Sequence, residues 1–183
     1  MTEQEAILAL RRGDLDGLET LVRRYQLKAV QAAFLVTQDK GTAEEVVQNA
    51  FLRVAERIHQ FDVARPFAPW FMRIVVNDAI KAVQRGPDLL SLESGEEQFA
   101  ALLQAQLPSP EETVTAVQLR ETVWAALEKL TPRQRAAVVL RYYFDMSEQE
   151  MATRLDVAPG TVKWRLHTAR ERLRQLLGLE VNG

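Results

Sequence analysis

The sequence lacks cysteine altogether and has only two histidines, His59 and His167. The absence of cysteine excludes disulfide bonds, thiolate zinc sites and a cysteine nucleophile. The sequence also shows no glycine-rich phosphate loop, no cluster of metal-ligating residues and no pairing of a nucleophile with a base. We therefore expect a protein that is not an enzyme and that needs no metal or other cofactor.

Long hydrophobic runs are missing as well. The longest, such as residues 32–36, are far shorter than the roughly 20 apolar residues that a membrane-spanning helix needs. The first five residues are polar and acidic, whereas a secretory signal has a basic start followed by an apolar stretch. We expect a cytoplasmic protein without membrane insertion.

Basic residues are not in excess overall, since the formal net charge is −2. The acidity is concentrated in residues 86–116, which carry six acidic residues and no basic one. Residues 1–85 have 12 basic and 11 acidic residues, and residues 131–183 have 9 basic and 6 acidic residues. Because docking to phosphates depends on the local field, these two mildly basic parts remain compatible with a nucleic-acid partner.

Helical spacing dominates the apolar pattern, and no alternating pattern of useful length predicts a strand. One stripe follows the spacing i, i+3, i+4, i+7 and consists of Leu18, Leu21, Val22 and Tyr25. A second consists of Val47, Ala50, Phe51, Val54 and Ile58. Residues 42–45 precede it with the pattern of a capping box, Thr42 to Glu45. A further apolar helix is predicted from about Pro69 to Gln84.

Glycine and proline mark the middle of the chain. Gly86 and Pro87 end one helical pattern, and a proline-rich, acidic stretch at residues 108–112 precedes another. We predict an all-α fold with two helical domains, residues 1–85 and 117–183, joined by an acidic linker, residues 86–116. The linker has room for one short helix, and its apolar residues leave open whether it only tethers the domains or also contacts a partner.

Three helix starts follow one another in the C-terminal domain. Thr131 with Gln134 and Ser147 with Glu150 match the capping box, and Pro159 stands early in a third helix. Residues 156–158 form a tight turn between the second and third of these helices. Two short helices across a tight turn predict a helix-turn-helix, which is typical of DNA-binding domains.

The last helix has two distinct faces. An apolar stripe is predicted to face the core and consists of Val162, Leu166, Ala169, Leu173 and Leu176. A second face carries Lys163, His167, Arg170 and Arg174, and residues 159–177 hold five basic residues and one acidic residue. This arrangement favours a recognition helix in the major groove, although a basic face can also be merely solvated.

Individual roles on this helix stay open at this point. Lys163 and Arg165 suit either base edges or phosphates, and His167 suits a phosphate. Trp164 has two interpretations: contact with a thymine methyl group, or packing over a neighbouring helix.

Aromatic residues cluster near the end of the N-terminal domain. They are Phe61, Phe67, Trp70 and Phe71. For Trp70 and Phe71 we predict a place in the core, whereas Phe67 lies between two prolines and is expected in a surface loop. An exposed aromatic residue near basic ones is suited to stacking an unpaired base.

Three stretches closely resemble region four of the extracytoplasmic-function sigma factors of bacterial RNA polymerase. They are residues 130–135 with 140–143, residues 147–152 and residues 159–170. The resemblance implies a domain that reads the minus-thirty-five promoter element. It carries DNA contact to Pro159, Thr161, Lys163, Trp164, Arg165, His167, Thr168 and Arg170. Trp164 departs from the small polar residue usual at its position, which leaves the promoter sequence preference open.

The N-terminal domain resembles region two of the same family. Residues 43–53 look like the helix that binds core RNA polymerase, and residues 67–77 look like the segment that opens the DNA strands. The resemblance implies that polymerase is bound by Glu45, Gln48, Asn49, Leu52 and Arg53. It implies capture of a flipped base of the minus-ten element by Arg65, Pro66, Phe67, Ala68 and Asn77. It also implies promoter DNA and an anti-sigma factor as partners.

Two further classes of protein fit part of the sequence. A helix-turn-helix repressor or activator matches the C-terminal domain and would bind duplex DNA without polymerase. An interaction adaptor that has lost DNA binding is disfavoured by the charge of the last helix.

Overall fold

The computed structural model describes residues 1–85 and 114–178. Within these ranges the chain is helical and has no strand, which confirms the predicted all-α class. The predicted linker lies outside the described residues except for its last three positions, where a helix has already begun. The N-terminal helices are α1 (Glu3–Arg11), α2 (Leu15–Thr37), α3 (Lys40–Arg57) and α4 (Phe67–Arg85). The C-terminal helices are α5 (Val114–Glu128), α6 (Pro132–Val138), α7 (Glu148–Leu155) and α8 (Pro159–Leu176).

The start of α3 differs from the prediction. Asp39 caps the helix, and its Oδ1 accepts a hydrogen bond from the backbone N–H of Thr42 at 2.7 Å. The predicted capping box at Thr42 is therefore wrong. A carboxylate three residues earlier already satisfies the first turn, so Thr42 donates to a cap instead of forming one.

The N-terminal core is built around aromatic rings. Phe67 and Phe71 are fully buried, stack at 5.7 Å between ring centroids, and are flanked by Tyr25, Phe51 and Phe61. The core position predicted for Phe71 is confirmed. The surface position predicted for Phe67 is wrong, because the residue is the first of α4 and its ring fills the space between α2 and the turn before α4.

Helix α4 begins earlier than predicted, at Phe67, and contains Pro69 in its first turn. Proline is tolerated there because the first backbone N–H groups of a helix have no carbonyl partner within it. The flanking prolines therefore mark a helix start and not a loop.

Local caps define the C-terminal helices as predicted. Thr131 and Ser147 form full capping boxes with Gln134 and Glu150, and Pro159 occupies the first turn of α8. Of the predicted apolar stripe on α8, Val162, Leu166 and Ala169 are buried. The inward position predicted for Leu176 is wrong: this last residue of α8 is 37% exposed.

The two sets of helices are packed together. Phe34 of α2 stacks on Trp124 of α5 with ring centroids 5.1 Å apart and planes within 9°. Arg135 of α6 is buried and donates two hydrogen bonds to the carbonyl of Val36, at 3.0 and 2.8 Å. A single hydrophobic cluster contains buried residues of both domains. The two sets of helices, which the sequence assigned to separate domains, therefore pack against each other in the structure.

Among the described residues, no helix has the length and apolar character required to cross a bilayer.

Candidate nucleic-acid interface

Helix α8 presents a broad outward surface. Lys163, Trp164 and His167 are exposed, while Val162 and Leu166 on the opposite side are buried. Trp164 is 64% exposed. The sequence left open whether Trp164 contacts a thymine methyl group or packs over a neighbouring helix. Its exposure favours the first interpretation, because the indole is available to a ligand.

Helix α8 packs beside α6, and residues beyond its first turn meet the start of α6. Pro159 is exposed and Thr161 is half-buried. Burial lowers the pKa of Arg165, and the positive charge of Arg133 in α6 lowers it further. Two cations whose charges act on each other suit a phosphate group, which would neutralise both.

Thr168 is tied into the domain more than the prediction implies. Its hydroxyl is 3.0 Å from the carbonyl of Trp164 and accepts a hydrogen bond from Nε2 of Gln134 at 3.2 Å. The side chain is half-buried. Thr168 therefore connects α8 to α6, and its hydroxyl is already engaged within the protein.

Sequence reasoning missed a partner of Arg170. The Nε of Arg170 donates to the hydroxyl of Tyr142 at 2.8 Å, and its guanidinium lies 5.8 Å from the centre of that ring. Tyr142 is 61% exposed and belongs to a π-helical extension of α6, Val139–Tyr143. Tyr142 meets α8, whereas the next residue, Tyr143, bonds Gln31 of α2. Tyr142 lies in a stretch that resembles region four, but nothing in the local sequence pattern indicates its contact with Arg170.

The candidate minus-ten residues do not form one compact group. Arg65 and Pro66 are exposed in the turn before α4, Ala68 is half-buried, and Phe67 is buried beneath them. Arg65 also pairs with Asp62 at 3.3 Å. Asn77 lies nine residues after Ala68 on α4, which at 1.5 Å per residue places it about 13 Å further along the axis. The turn and Asn77 are thus two separate candidate contact points, one before α4 and one along it.

The outward ridge of α3 carries the candidate polymerase-binding residues. Glu45, Gln48, Asn49 and Leu52 are exposed, and Leu52 is 61% exposed despite being apolar. A groove of about 560 Å³ lies between α3 and α4, and one of about 590 Å³ lies between α2 and α3. Leu52 lines both. An exposed leucine between two grooves is suited to anchor a partner helix or coiled coil.

Arg53 is held at the edge of this ridge. Its Nη1 lies 2.6 Å from Oδ2 of Asp78 on α4, and Lys81 lies 4.0 Å from the other carboxylate oxygen. The carboxylate of Asp78 is mostly buried, so the pair fixes the angle at which Arg53 faces the groove. Lys81 thereby adds a positive charge to the same wall.

Comparison with known proteins assigns both halves of the chain. The family model "Sigma-70 region 2" matches residues 21–86, and "Sigma-70, region 4" matches residues 120–173. The chain is 32% identical over 182 residues to the ECF RNA polymerase sigma factor SigW of Bacillus subtilis, covering 97% of each chain. It is 31% identical over 179 residues to the ECF RNA polymerase sigma-E factor of Escherichia coli strain K12, covering 93% of this chain and 92% of the relative.

A solved structure shares the fold. CnrH, in complex with the cytosolic domain of CnrY, superposes with a TM-score of 0.66 at 24% identity and covers 97% of this chain and 98% of its own. The sequence relationship to SigW and sigma-E, over nearly the whole chain, identifies the family. The chain belongs to the extracytoplasmic-function RNA polymerase sigma factors, which direct promoter-specific transcription initiation.

Proposed function

We propose that this sigma factor uses three surfaces in initiation. The ridge of α3 binds core RNA polymerase, the outward face of α8 reads the minus-thirty-five element, and the turn before α4 with Asn77 captures a base of the minus-ten element. The proposal rests above all on α8, whose apolar side is buried while Lys163, Trp164 and His167 stand in solvent. We propose that these surfaces belong to two domains, residues 1–85 and 117–183.

The face of α8 combines an apolar ring with cations. An indole early in a recognition helix offers contact with a thymine methyl group, while Lys163 and Arg165 reach guanine edges or phosphates. Arg165 with Arg133 is placed for a phosphate, so we assign Arg165 to positioning and Lys163 with Trp164 to base contact.

The minus-ten contacts exclude Phe67, whose ring is fully buried. Phe67 instead supports the backbone on which Arg65, Pro66 and Ala68 are presented. Asn77 carries both a donor and an acceptor for a base edge. Unstacking one base costs a few kcal/mol, which contacts by both domains would offset.

The cellular location of the protein is inferred from its partner. A protein that binds core polymerase is expected in the cytoplasm. An anti-sigma factor is a further expected partner. It is supported by a second solved structure of similar fold, the sigma factor RpoE from Bartonella quintana in complex with the anti-sigma factor NepR, with a TM-score of 0.61.

The first experiment is co-elution of the protein with bacterial core RNA polymerase in size exclusion, followed by run-off transcription from a promoter library. A stable complex that initiates at a defined motif is the expected result. If no complex forms and the protein alone binds duplex DNA, the repressor or activator alternative replaces the proposal.

Two sets of variants separate the surfaces. Lys163→Ala and Arg165→Ala should weaken promoter binding and leave polymerase binding intact. A shared loss of both activities would contradict the separation. In a salt titration, Arg165→Ala should lower the slope of log affinity against log salt by about 1 without relaxing sequence preference, whereas Lys163→Ala should relax it.

The polymerase surface is tested with Gln48→Ala combined with Arg53→Ala. This variant should lose affinity for core polymerase while its C-terminal domain still binds DNA. Because Arg53→Ala also breaks the pair with Asp78, Asp78→Asn serves as the control that breaks the pair and keeps the arginine. Equal affinity of the double variant and the wild type would remove both residues from the interface.

A further inference from the structure

The turn that carries the candidate minus-ten residues is contacted at its start by a side chain of α1. Arg11, the last residue of α1, is half-buried, and its guanidinium donates to three backbone carbonyls. Its Nε lies 3.3 Å from the carbonyl oxygen of Ile58, and its Nη2 lies 3.5 Å from that of His59. Nη2 also bonds the carbonyl of Phe61. Arg11 thus binds the backbone that leads from α3 into the turn.

The carbonyls that Arg11 binds lie where a helix ends. Helix α3 ends at Arg57 and is followed by one 3₁₀ turn, Ile58–Gln60, after which Phe61 is extended. Carbonyls at the end of a helix have few donors within it and carry partial negative charge. A guanidinium offers five N–H donors in a fixed plane, so one arginine can satisfy several of these carbonyls at once.

The bond to the carbonyl of Phe61 sets the direction in which the turn begins. The ring of Phe61 is buried, with its centroid 5.6 Å from that of Phe67 and 5.1 Å from that of Trp70. These rings hold the side chain. They do not fix the following peptide, because each residue keeps two soft backbone dihedral angles. Arg11 holds the oxygen of that peptide and thereby orients Asp62, the first residue of the turn.

From Asp62 onward the turn is closed by its own short-range bonds. Oδ1 of Asp62 accepts from the backbone N–H of Ala64 at 3.0 Å, and its carbonyl accepts from the N–H of Arg65 at 3.0 Å. The other carboxylate oxygen pairs with the guanidinium of Arg65 at 3.3 Å. Because residues 62–66 are exposed, the turn is oriented through its two ends. One end is held by Arg11, and the other by the buried ring of Phe67.

We propose that Arg11 is a positioning residue for minus-ten recognition: by holding the carbonyl of Phe61, it orients the turn that presents Arg65, Pro66 and Ala68 to an unpaired base. This inference rests on the proposed function, since it takes that turn as the element that captures the base. Arg11 lies outside the match to the region 2 family model, which begins at residue 21. A turn that is already ordered loses less entropy when it binds its ligand.

The first measurement needs no nucleic acid. In the free protein, Arg11→Ala should quicken hydrogen exchange at the N–H groups of Ala64 and Arg65, as resolved by NMR, and leave exchange in α8 unchanged. Arg12→Ala is the matched control, because it removes the same charge from an adjacent, exposed arginine. Equal exchange at Ala64 and Arg65 in Arg11→Ala and the wild type would overturn the inference at this step.

The second measurement uses the complex with core polymerase and a single-stranded minus-ten oligonucleotide from the promoter that run-off transcription identifies. Arg11→Ala should weaken binding of the oligonucleotide by about fivefold, because the turn must then be ordered on binding. Arg12→Ala should bind it as the wild type does, and the affinity of both variants for a minus-thirty-five duplex should not change. Arg11→Lys keeps the charge but loses the planar set of donors, so its loss should be smaller than that of Arg11→Ala.

A thermodynamic cycle distinguishes positioning from a loss of stability. Each base of the oligonucleotide is replaced in turn by an abasic site, and binding is measured again for the wild type and Arg11→Ala. If Arg11 acts through the captured base, removing that base should weaken the wild type more than the variant. A loss of stability would instead lower binding of every oligonucleotide and of the minus-thirty-five duplex by the same factor. Thermal unfolding followed by circular dichroism verifies that both Arg11 variants are folded.

Two further results would contradict the inference. If the abasic sites affect both proteins equally although exchange in the turn has quickened, Arg11 only caps the end of α3 and does not position the turn for a base. If the wild-type complex does not bind the oligonucleotide at all, the proposed function of the turn fails, and the positioning role fails with it. Hydrogen exchange distinguishes the two cases, because it shows whether Arg11 holds the turn without reference to DNA.

Discussion

Each of the two domains is stabilised internally by a different kind of interaction. In the N-terminal domain, helices of up to 23 residues pack around buried aromatic rings. In the C-terminal domain, α6 and α7 have only 7 and 8 residues, and each begins with a full capping box. Helices this short are marginal by themselves. In the N-terminal domain only the 9-residue α1 combines a short length with a full capping box. We infer that the smaller C-terminal domain depends more on local caps and on its neighbour, and the larger domain more on its own core.

The strongest test of this contrast is Gly17→Ala in α2. A Cβ at this position would lie 2.3 Å from the carbonyl oxygen of Ala6 and 2.7 Å from the backbone nitrogen of Leu10. These atoms belong to the backbone of α1 and cannot rotate away, so the helices must separate. We expect a loss of about 3 kcal/mol in the free energy of unfolding, at the upper end of overpacking effects.

Denaturant unfolding followed by circular dichroism measures this loss. Gly41→Ala is the matched control, because the nearest atom to its added Cβ is 3.6 Å away. Alanine is the better helix former, so this variant should be unchanged or more stable by up to about 1 kcal/mol. Equal stability of the two variants would mean that α1 and α2 are not closely packed.

In the C-terminal domain, removing a cap should have a smaller and more local effect. Ser147→Ala deletes the hydroxyl that accepts from the N–H of Glu150 at 3.2 Å. The loss of such a cap lowers the free energy of unfolding by about 1 kcal/mol. Hydrogen exchange should quicken in α7 and remain unchanged in α3.

Thr153→Ala is the control for this variant. Its hydroxyl bonds the carbonyl of Gln149 within α7 and caps nothing, so exchange rates should stay close to those of the wild type. Faster exchange throughout both domains in Ser147→Ala would show that the cap stabilises the whole chain, and the contrast between the domains would fail.

The two capping boxes of the C-terminal domain should also differ in their response to acid. Hydrogen bonds from the backbone N–H and the hydroxyl of Ser147 lower the pKa of Glu150 below its ordinary value of 4.5. A lowered carboxylate pKa in the folded state gives stability that is present above the ordinary value and lost as the pH falls through the lowered one. The box at Thr131 uses the neutral Gln134 and should not respond.

We therefore expect α7 to lose protection before α6 as the pH falls below about 4.5. Glu150→Gln keeps a residue able to close the box but removes its titration. In this variant the difference between the two helices should disappear. Hydrogen exchange between pH 3 and 6 is the measurement, and an unchanged difference would show that another group titrates.

How far the sequence predicted the structure depends on the range of the interaction. The caps at Thr131 and Ser147 involve residues three apart and were both predicted, whereas the same local pattern at Thr42 misplaced the start of α3 by three residues. The contact between Arg135 and Val36 joins residues 99 apart, and no local pattern indicates it. The error at Phe67 has a similar cause, since only the arrangement of α2, α3 and α4 decides that its ring is enclosed.

In the candidate site, too, short-range features were predicted and long-range contacts were missed. Basic residues at helical spacing predicted the outward face of α8, and Trp164 proved exposed. The partner of Arg170 was not predicted because Tyr142 lies 28 residues away on another helix. The pair of Arg53 with Asp78 was missed because it joins two helices.

Tyr142→Phe tests whether this missed contact serves DNA recognition. The variant removes the hydroxyl that accepts from Nε of Arg170 at 2.8 Å and keeps the ring beside the guanidinium. An arginine that is no longer held in position must be ordered on binding. We expect about a twofold loss of affinity for promoter duplex, which corresponds to roughly 0.4 kcal/mol, with unchanged unfolding.

The neighbouring tyrosine provides the control for Tyr142→Phe. Tyr143→Phe removes a hydroxyl that bonds Gln31 across the domain interface, so it should affect docking of the domains and not the affinity of α8 for DNA. Fluorescence anisotropy with a labelled duplex compares the two variants directly. If Tyr143→Phe weakened binding and Tyr142→Phe did not, DNA affinity would depend on domain docking and not on the position of Arg170. The contrast between the two domains would then extend to function, because the smaller domain would need its neighbour to bind DNA as well as to fold.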